Sequence, residues 1–269
     1  MNWWMAIILG MLQGITEWLP ISSSGHLAIF QYYFDEEPPV LFDIILHLGS
    51  LFVISYILRN ELKELLEAFP GAVKKFHKPN YLKEQERLLF FVILASIPTA
   101  VIGFYFNGDI IDSFYENMHL VGLCLLCTGG VIWYSKDYKN NLEINDLHST
   151  KIFYTGIVQG LAILPGISRS GVTIAILRIF GLNPVKAAKF SFLIFIPAIL
   201  GATILKLNEV GETLEEVGPL SIILGFLASS ISSFLSIKFL LKLIDRQQFH
   251  YFTPYCLIIG TALIFESLV

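Results

Sequence analysis

Apolar residues along this chain fall into long runs separated by short polar segments. A helix needs about 20 apolar residues to cross the hydrocarbon layer of a bilayer. Six stretches approach that length and predict six membrane spans: 37–58, 88–106, 118–135, 184–205, 219–241 and 252–268.

Two further apolar regions are interrupted near their middles. Residues 3–33 are broken at Pro20 and the Ser22–Gly25 run, and residues 152–181 at Pro165-Gly166 and Ser168–Gly171. Each limb is too short to span. Irregular backbone at membrane depth must be buried in protein or line a wet cavity. Both regions are therefore predicted to be re-entrant helical hairpins.

The distribution of Lys and Arg predicts an orientation. Segment 59–87 holds seven basic residues, and segments 136–151 and 242–251 are also basic, which is typical of cytoplasmic loops. Segment 107–117 has no Lys or Arg, and 206–217 holds four glutamates with one lysine. The basic segments and the segments poor in Lys and Arg alternate along the six predicted spans. Both termini should lie outside, with the first hairpin entering from outside and the second from inside.

Composition agrees with this membrane interpretation. The 269 residues are 55% hydrophobic and 15% charged, too apolar for a soluble domain of this length. The net charge of −4 makes nucleic acid an unsuitable partner. We expect an all-α polytopic membrane protein with one membrane domain, 1–269.

The two hairpins resemble each other without gaps at an offset of 146 residues. Gln13-Gly14-Ile15 matches Gln159-Gly160-Leu161, and the Ile21–Gly25 run matches Ile167–Gly171. Each hairpin is followed by three predicted spans, so the halves 1–150 and 151–269 form an inverted repeat of one hairpin plus three spans. In such folds the broken helices meet near the midplane and form the binding site.

Polar side chains concentrate in these hairpins, where they are costly and hence functional candidates. Glu17 lies one turn after Gln13, so both point into one cavity. Arg169 presents a planar fork that matches two phosphate oxygens, and the glycine-containing turns leave amides free at helix starts. The set predicts a phosphate site: Gln13, Glu17, Ser22, Ser23, Ser24, Gly25 and His26 in the first hairpin, and Ser168, Arg169, Ser170, Gly171 and Thr173 in the second.

Simpler interpretations exist for parts of this pattern. A serine run before a helix is often a cap, and an intramembrane glutamate often pairs with an arginine. Asp43 and His47, four residues apart in a predicted span, either support the site from behind or lie near the outer interface.

The segments QGITEWLPISSSGH, 13–26, and LPGISRSGVT, 164–173, resemble the two signature motifs of the undecaprenyl-diphosphate phosphatases, the family linked to bacitracin resistance. The resemblance implies hydrolysis of undecaprenyl diphosphate to the monophosphate in the bacterial inner membrane, recycling the carrier lipid for cell-wall synthesis. It implies Mg²⁺ or another divalent cation, and Glu17, Ser23, His26 and Arg169 as key residues. Gln13 stands where other members have Glu, which puts in doubt a metal site built from two carboxylates.

The resemblance and the residues together lead to a set of roles. Ser23 is the expected nucleophile, with His26 as base or proton shuttle, and Glu17 orients His26 or holds the metal. Water or His26 as the attacking group stays open, as does a homo-oligomer. The cavity should open to the extracytoplasmic side. The rival function is a polyprenyl-phosphate flippase or transporter, which needs the phosphate site but no nucleophile and base.

Overall fold

The computed structural model describes residues 1–34, 38–75, 81–106, 114, 117–138 and 141–266. These residues fold into α-helices joined by short turns and 3₁₀ segments, and they contain no extended strand. The all-α membrane class is confirmed. Most of the predicted outside segment 107–117, together with residues 37 and 267–268 of two predicted spans, lies outside the described residues.

The first broken region is a hairpin of two short helices, α1 (Trp3–Trp18) and α2 (Ser23–Phe34). Pro20 disfavours helix at the residue before it, so α1 ends at Trp18. Ser22 takes a left-handed conformation with φ 71°, which reverses the chain within four residues. At 1.5 Å per residue the limbs measure about 24 and about 18 Å, short of a bilayer core of about 30 Å.

The second broken region has the same construction, with α7 (Ser149–Leu161) and α8 (Arg169–Ile179). Gly166, in the connection, has φ 96°, which glycine adopts without steric cost. Ser168 caps α8, since its Oγ accepts the Gly171 amide at 3.1 Å. Both breaks thus lie where Pro, Gly and Ser predict them.

Among the described residues, five helices are long and apolar enough to cross a membrane. They are α3 (Val40–Ile57), α5 (Glu84–Tyr105), α6 (Met118–Tyr134, extended by a 3₁₀ turn to Asp137), α9 (Pro184–Leu205) and α11 (Pro219–Asp245).

The sixth predicted span, 252–268, is not confirmed. Its described part is α12 (Thr253–Glu266), preceded by a 3₁₀ turn over Phe249–Phe252. These 14 residues of α-helix rise about 21 Å; the 3₁₀ turn takes up Phe252, the first residue of the stretch, and residues 267–268 lie outside the described residues.

Two amphipathic helices connect the spans. The first, α4 (Arg59–Lys75), packs against α5 and leaves Leu66, Phe69 and Val73 exposed on its outer face. The second, α10 (Val210–Val217), contacts α3 and α11. Exposed apolar side chains on such helices are typical of segments that lie in the membrane interface.

Each hairpin packs against a span of the other half of the chain. Helix α1 lies along α11, and α7 lies along α5. Glycine makes these approaches close: a Cβ on Gly10 would lie 2.3 Å from the Gly225 carbonyl oxygen, and one on Gly156 would lie 2.1 Å from that of Ala95. Small residues allow backbones to meet in this way in membranes. Because each hairpin packs against a span of the other half, the two hairpin turns are brought together.

Candidate active site

The turns of the two hairpins are in direct contact. The Ser22 Oγ accepts the amide of Gly25 at 3.2 Å and the amide of Gly166 at 3.1 Å. A Cβ on Gly25 would lie 2.9 Å from the Gly166 nitrogen. The starts of α2 and α8 are therefore held side by side, although they are far apart in sequence.

Glu17, in the last turn of α1, is the centre of the polar cluster. Its Oε2 accepts hydrogen bonds from Ser23 Oγ at 2.6 Å and from Gln13 Nε2 at 2.8 Å. Its Oε1 accepts one from Arg169 at 2.6 Å. Only 6% of the residue is exposed. A buried carboxylate is tolerated here because a guanidinium and two further donors compensate its charge.

Arg169 opens α8 and is held flat by its neighbours. Its guanidinium carbon lies 3.8 Å from the Phe195 ring centroid, and one terminal nitrogen binds Glu17. The other terminal nitrogen is buried and has no hydrogen-bond partner among the described residues. Since an unpaired buried donor is costly, this nitrogen is a candidate contact for an anion.

His47 joins the site from α3. Its Nδ1–H donates to the Asp43 carbonyl at 2.8 Å, which leaves Nε2 at 3.3 Å from Glu17 Oε2. Sequence reasoning left His47 either behind the site or at the interface. Its spacing from Asp43 within a span was a signal, but only packing shows that it faces Glu17.

His26 is directed elsewhere. Its Nδ1–H donates to the Ser22 carbonyl at 2.7 Å, and its Nε2 accepts the Tyr255 hydroxyl at 2.6 Å. Among the described residues that line the cavity at Glu17 and Ser23, His26 is absent. The structure therefore brings Glu17, Ser23 and Arg169 together but engages the ring of His26 with α12. Tyr255 was not anticipated.

The other sequence-predicted residues divide into two groups. Ser24 and Ser168 line the cavity beside Ser23 and Arg169. The rest support the turns from within. Thr173 Oγ1 donates to the Arg169 carbonyl at 2.7 Å. Buried supporting positions are Gln13, Ser22, Gly25, Ser170, Gly171 and Thr173.

The cavity has a volume of about 810 Å³ and two chemically different parts. Its polar end is formed by Glu17, Ser23, His47 and Arg169. The remainder is mostly apolar and runs between α5 and α9, with these lining residues: Ala100, Gly103, Phe104, Ile199, Gly201, Ala202, Ile204 and Leu205. Such a shape suits an amphiphile with an anionic head and an apolar tail.

The donor set does not fit a metal held by protein ligands alone. No group of three or more His, Cys, Asp or Glu side chains with metal-site geometry occurs in the described ranges. Both carboxylate oxygens of Glu17 already accept hydrogen bonds. Mg²⁺ commonly binds through one or two carboxylates and the phosphates of a substrate, so a cation here would need substrate oxygens.

Comparison with known proteins agrees with the geometry. The family model described as bacitracin resistance protein BacA matches residues 6–262. A protein of Methanobrevibacter smithii named undecaprenyl-diphosphatase is 36% identical over 98% of this chain and 97% of its own length. Proteins of the same name from Alkaliphilus metalliredigens and Treponema denticola are 37% and 36% identical, covering 100% and 98% of this chain and 100% and 97% of their own. The family expected from the two motifs is thereby confirmed: the chain belongs to the bacitracin resistance protein BacA family.

Proposed function

We propose that this chain hydrolyses undecaprenyl diphosphate to undecaprenyl phosphate and inorganic phosphate, recycling the carrier lipid for cell-wall synthesis. The observation that best supports this function is the cluster in which Glu17 binds both Ser23 and Arg169 at the polar end of an otherwise apolar cavity. The relatives named undecaprenyl-diphosphatase agree with it.

The terminal phosphate would bind at the start of α8. The free terminal nitrogen of Arg169 and the first amides of α2 and α8 supply donors with no intrahelical acceptor. Because Arg169 is fixed by Glu17 and Phe195, its fork needs little reorganisation to meet phosphate oxygens.

Ser23 would then attack the terminal phosphorus. The Oγ–P bond forms, the bond to the bridging oxygen breaks, and undecaprenyl phosphate leaves. The Ser23 proton passes to Glu17 Oε2, which already accepts that hydroxyl at 2.6 Å, and His47 Nε2 lies close enough to share it. Water then cleaves the phosphoserine and releases inorganic phosphate. Glu17 with His47 thus takes the base role that the sequence assigned to His26.

We propose that a divalent cation, expected to be Mg²⁺, would be held mainly by oxygens of the diphosphate. It would supply charge neutralisation on the phosphate oxygens. Gln13, where a second carboxylate was expected, agrees with a cation that uses mainly substrate oxygens. Its amide already supports Glu17 with a hydrogen bond at 2.8 Å.

The inverted repeat is also part of this proposal. Adding 146 to the first residues of α1 and α2 gives 149 and 169, which are the first residues of α7 and α8. The packing of α1 on α11 and of α7 on α5 supports a twofold exchange between halves 1–150 and 151–269. In this arrangement α12 would be the sixth membrane helix, matched to α6, against which it packs.

The cavity would open toward the extracytoplasmic side of the bacterial inner membrane. Gly103, Phe104, Leu205 and Lys206 line it at helix ends that adjoin the two segments poor in basic residues. In a variant without native cysteines, Gly211→Cys should react with an impermeant thiol reagent in whole cells, and Lys63→Cys should not. The reverse labelling would overturn this orientation.

The prenyl chain would occupy the apolar part of the cavity between α5 and α9. Gly201 faces open space there, with nothing within 4 Å of an added Cβ. Gly201→Leu should therefore fold normally and fill the channel. We expect kcat/KM for a long prenyl diphosphate to fall about tenfold or more, since several buried CH₂ contacts are lost at about 0.8 kcal/mol each.

The matched control is Gly130→Leu. Gly130 is also surrounded by open space, but it lies on an exposed helix face outside the cavity. It should keep kcat/KM unchanged. Equal effects of the two variants, or none from Gly201→Leu, would show that the chain binds elsewhere.

Phosphate release by purified protein tests the function itself. Protein in detergent should release inorganic phosphate from a prenyl diphosphate, and a chelator should reduce the rate if the cation travels with the substrate. A flippase would bind the lipid without releasing phosphate. Absence of release by well-folded protein with Mg²⁺ present would favour that rival.

A further inference from the structure

The turn that presents Ser23 depends on one unusual residue, Ser22. Its φ of 71° is rare for a residue with a side chain and persists only where the surroundings determine it. The Ser22 side chain accepts two amides, and its carbonyl accepts the His26 amide at 3.1 Å as well as the His26 ring at 2.7 Å. His26 thus contributes the one side-chain bond to this carbonyl among the described residues.

The ring of His26 is itself held in place from α12. Tyr255 donates its hydroxyl to Nε2 at 2.6 Å, and the two rings stack with centroids 5.6 Å apart and an angle of 13°. Because the Ser22 carbonyl can only accept, Nδ1 holds a proton, and in the neutral ring Nε2 then accepts from the tyrosine hydroxyl. Both nitrogens are engaged in this state, and neither hydrogen bond goes to Ser23 or Glu17.

The same helix contacts the turn at a second point. The Cys256 thiol lies 3.4 Å from the Pro20 carbonyl oxygen and is buried. Helix α12 therefore contacts the Leu19–Ser22 connection directly through Cys256, and through Tyr255 it contacts the His26 ring that binds the Ser22 carbonyl. This contact lies behind the turn, whereas Ser23 faces the cavity.

We propose that His26 and Tyr255 are positioning residues: Tyr255 orients the His26 ring, which holds the Ser22 carbonyl and thereby the left-handed turn that places Ser23 Oγ against Glu17. The inference rests on the proposed function and assigns His26 no proton transfer. It explains why the fourth residue of α2 is a histidine that does not line the cavity.

The substitution His26→Asn separates support of the Ser22 carbonyl from proton transfer. The asparagine side-chain amide can reach the Ser22 carbonyl, as the Nδ1–H does, but it cannot shuttle a proton. We expect His26→Asn to retain kcat within about tenfold, the scale of one neutral hydrogen bond. His26→Ala should lower kcat at least about a hundredfold with KM little changed, because the nucleophile and not the lipid is displaced. Rescue by asparagine is the decisive readout.

Tyr255→Phe completes the test. It should lower kcat severalfold in the wild type and cause no further loss in the His26→Asn background, where no ring remains to orient. Equal inactivity of His26→Asn and His26→Ala would identify a ring that transfers protons and overturn the proposal. Near-normal turnover of His26→Ala, or additive losses from Tyr255→Phe, would overturn it as well.

Thermal unfolding in detergent keeps this test independent of the proposed function. The midpoint should fall in His26→Ala and recover in His26→Asn, whether or not the wild type releases phosphate. If the wild type releases none, the function fails while the unfolding series still decides whether the ring supports the turn.

Discussion

Ser23→Ala is expected to lower kcat for prenyl diphosphate hydrolysis by about 10³-fold or more. Removing an attacking hydroxyl abolishes the covalent route, and losses on this scale or larger follow removal of serine nucleophiles. The fold should survive, because Glu17 keeps its bonds to Arg169 and Gln13. Steady-state phosphate release and thermal unfolding in the same detergent measure the two effects.

The matched hydroxyl deletion is Ser230→Ala. Ser230 donates to backbone carbonyls on and beside α11 and lies outside the cavity, so its loss should leave kcat unchanged. Rapid quenching of the wild type should in addition trap phosphate on residue 23. Near-normal turnover of Ser23→Ala would show that water attacks the phosphorus, with Glu17 and His47 as its base.

Arg169→Lys should lower kcat by about 10²–10³-fold, the usual effect of removing one fixed donor to transition-state charge. The charge is kept, so Glu17 is not left as an uncompensated buried carboxylate, and the planar fork alone is lost. A lysine ammonium is a point charge. It cannot hold Glu17 and a phosphate oxygen in one plane, as the two terminal nitrogens of Arg169 can.

Kinetics of Arg169→Lys distinguish two roles for the guanidinium. If it stabilises the phosphoryl group during transfer, kcat falls together with kcat/KM. A raised KM with unchanged kcat would limit Arg169 to substrate docking. Arg246→Lys, at an exposed helix end, is the control and should be without effect.

Much of the fold follows from local chemistry that the sequence displays. The hairpin breaks at Pro20 and Gly166 depend on backbone preferences of single residues, and the five long helices depend on uninterrupted apolar length. The sixth predicted span stays unconfirmed, because a 3₁₀ turn over Phe249–Phe252 precedes its α-helix and residues 267–268 lie outside the described residues. Apolar length alone does not set where an α-helix begins.

The sequence by itself determined the membrane class, the family and three members of the candidate site, because Glu17, Ser23 and Arg169 lie in short contiguous segments whose spacing is visible in the chain. Only the tertiary structure decided which histidine faces Glu17. His26 and His47 are both four residues from a potential backbone acceptor, and each ring donates to that carbonyl. What differs is the partner of the remaining nitrogen: Tyr255 from α12 for His26, and Glu17 from α1 for His47. That choice depends on how distant helices pack, which no local pattern records.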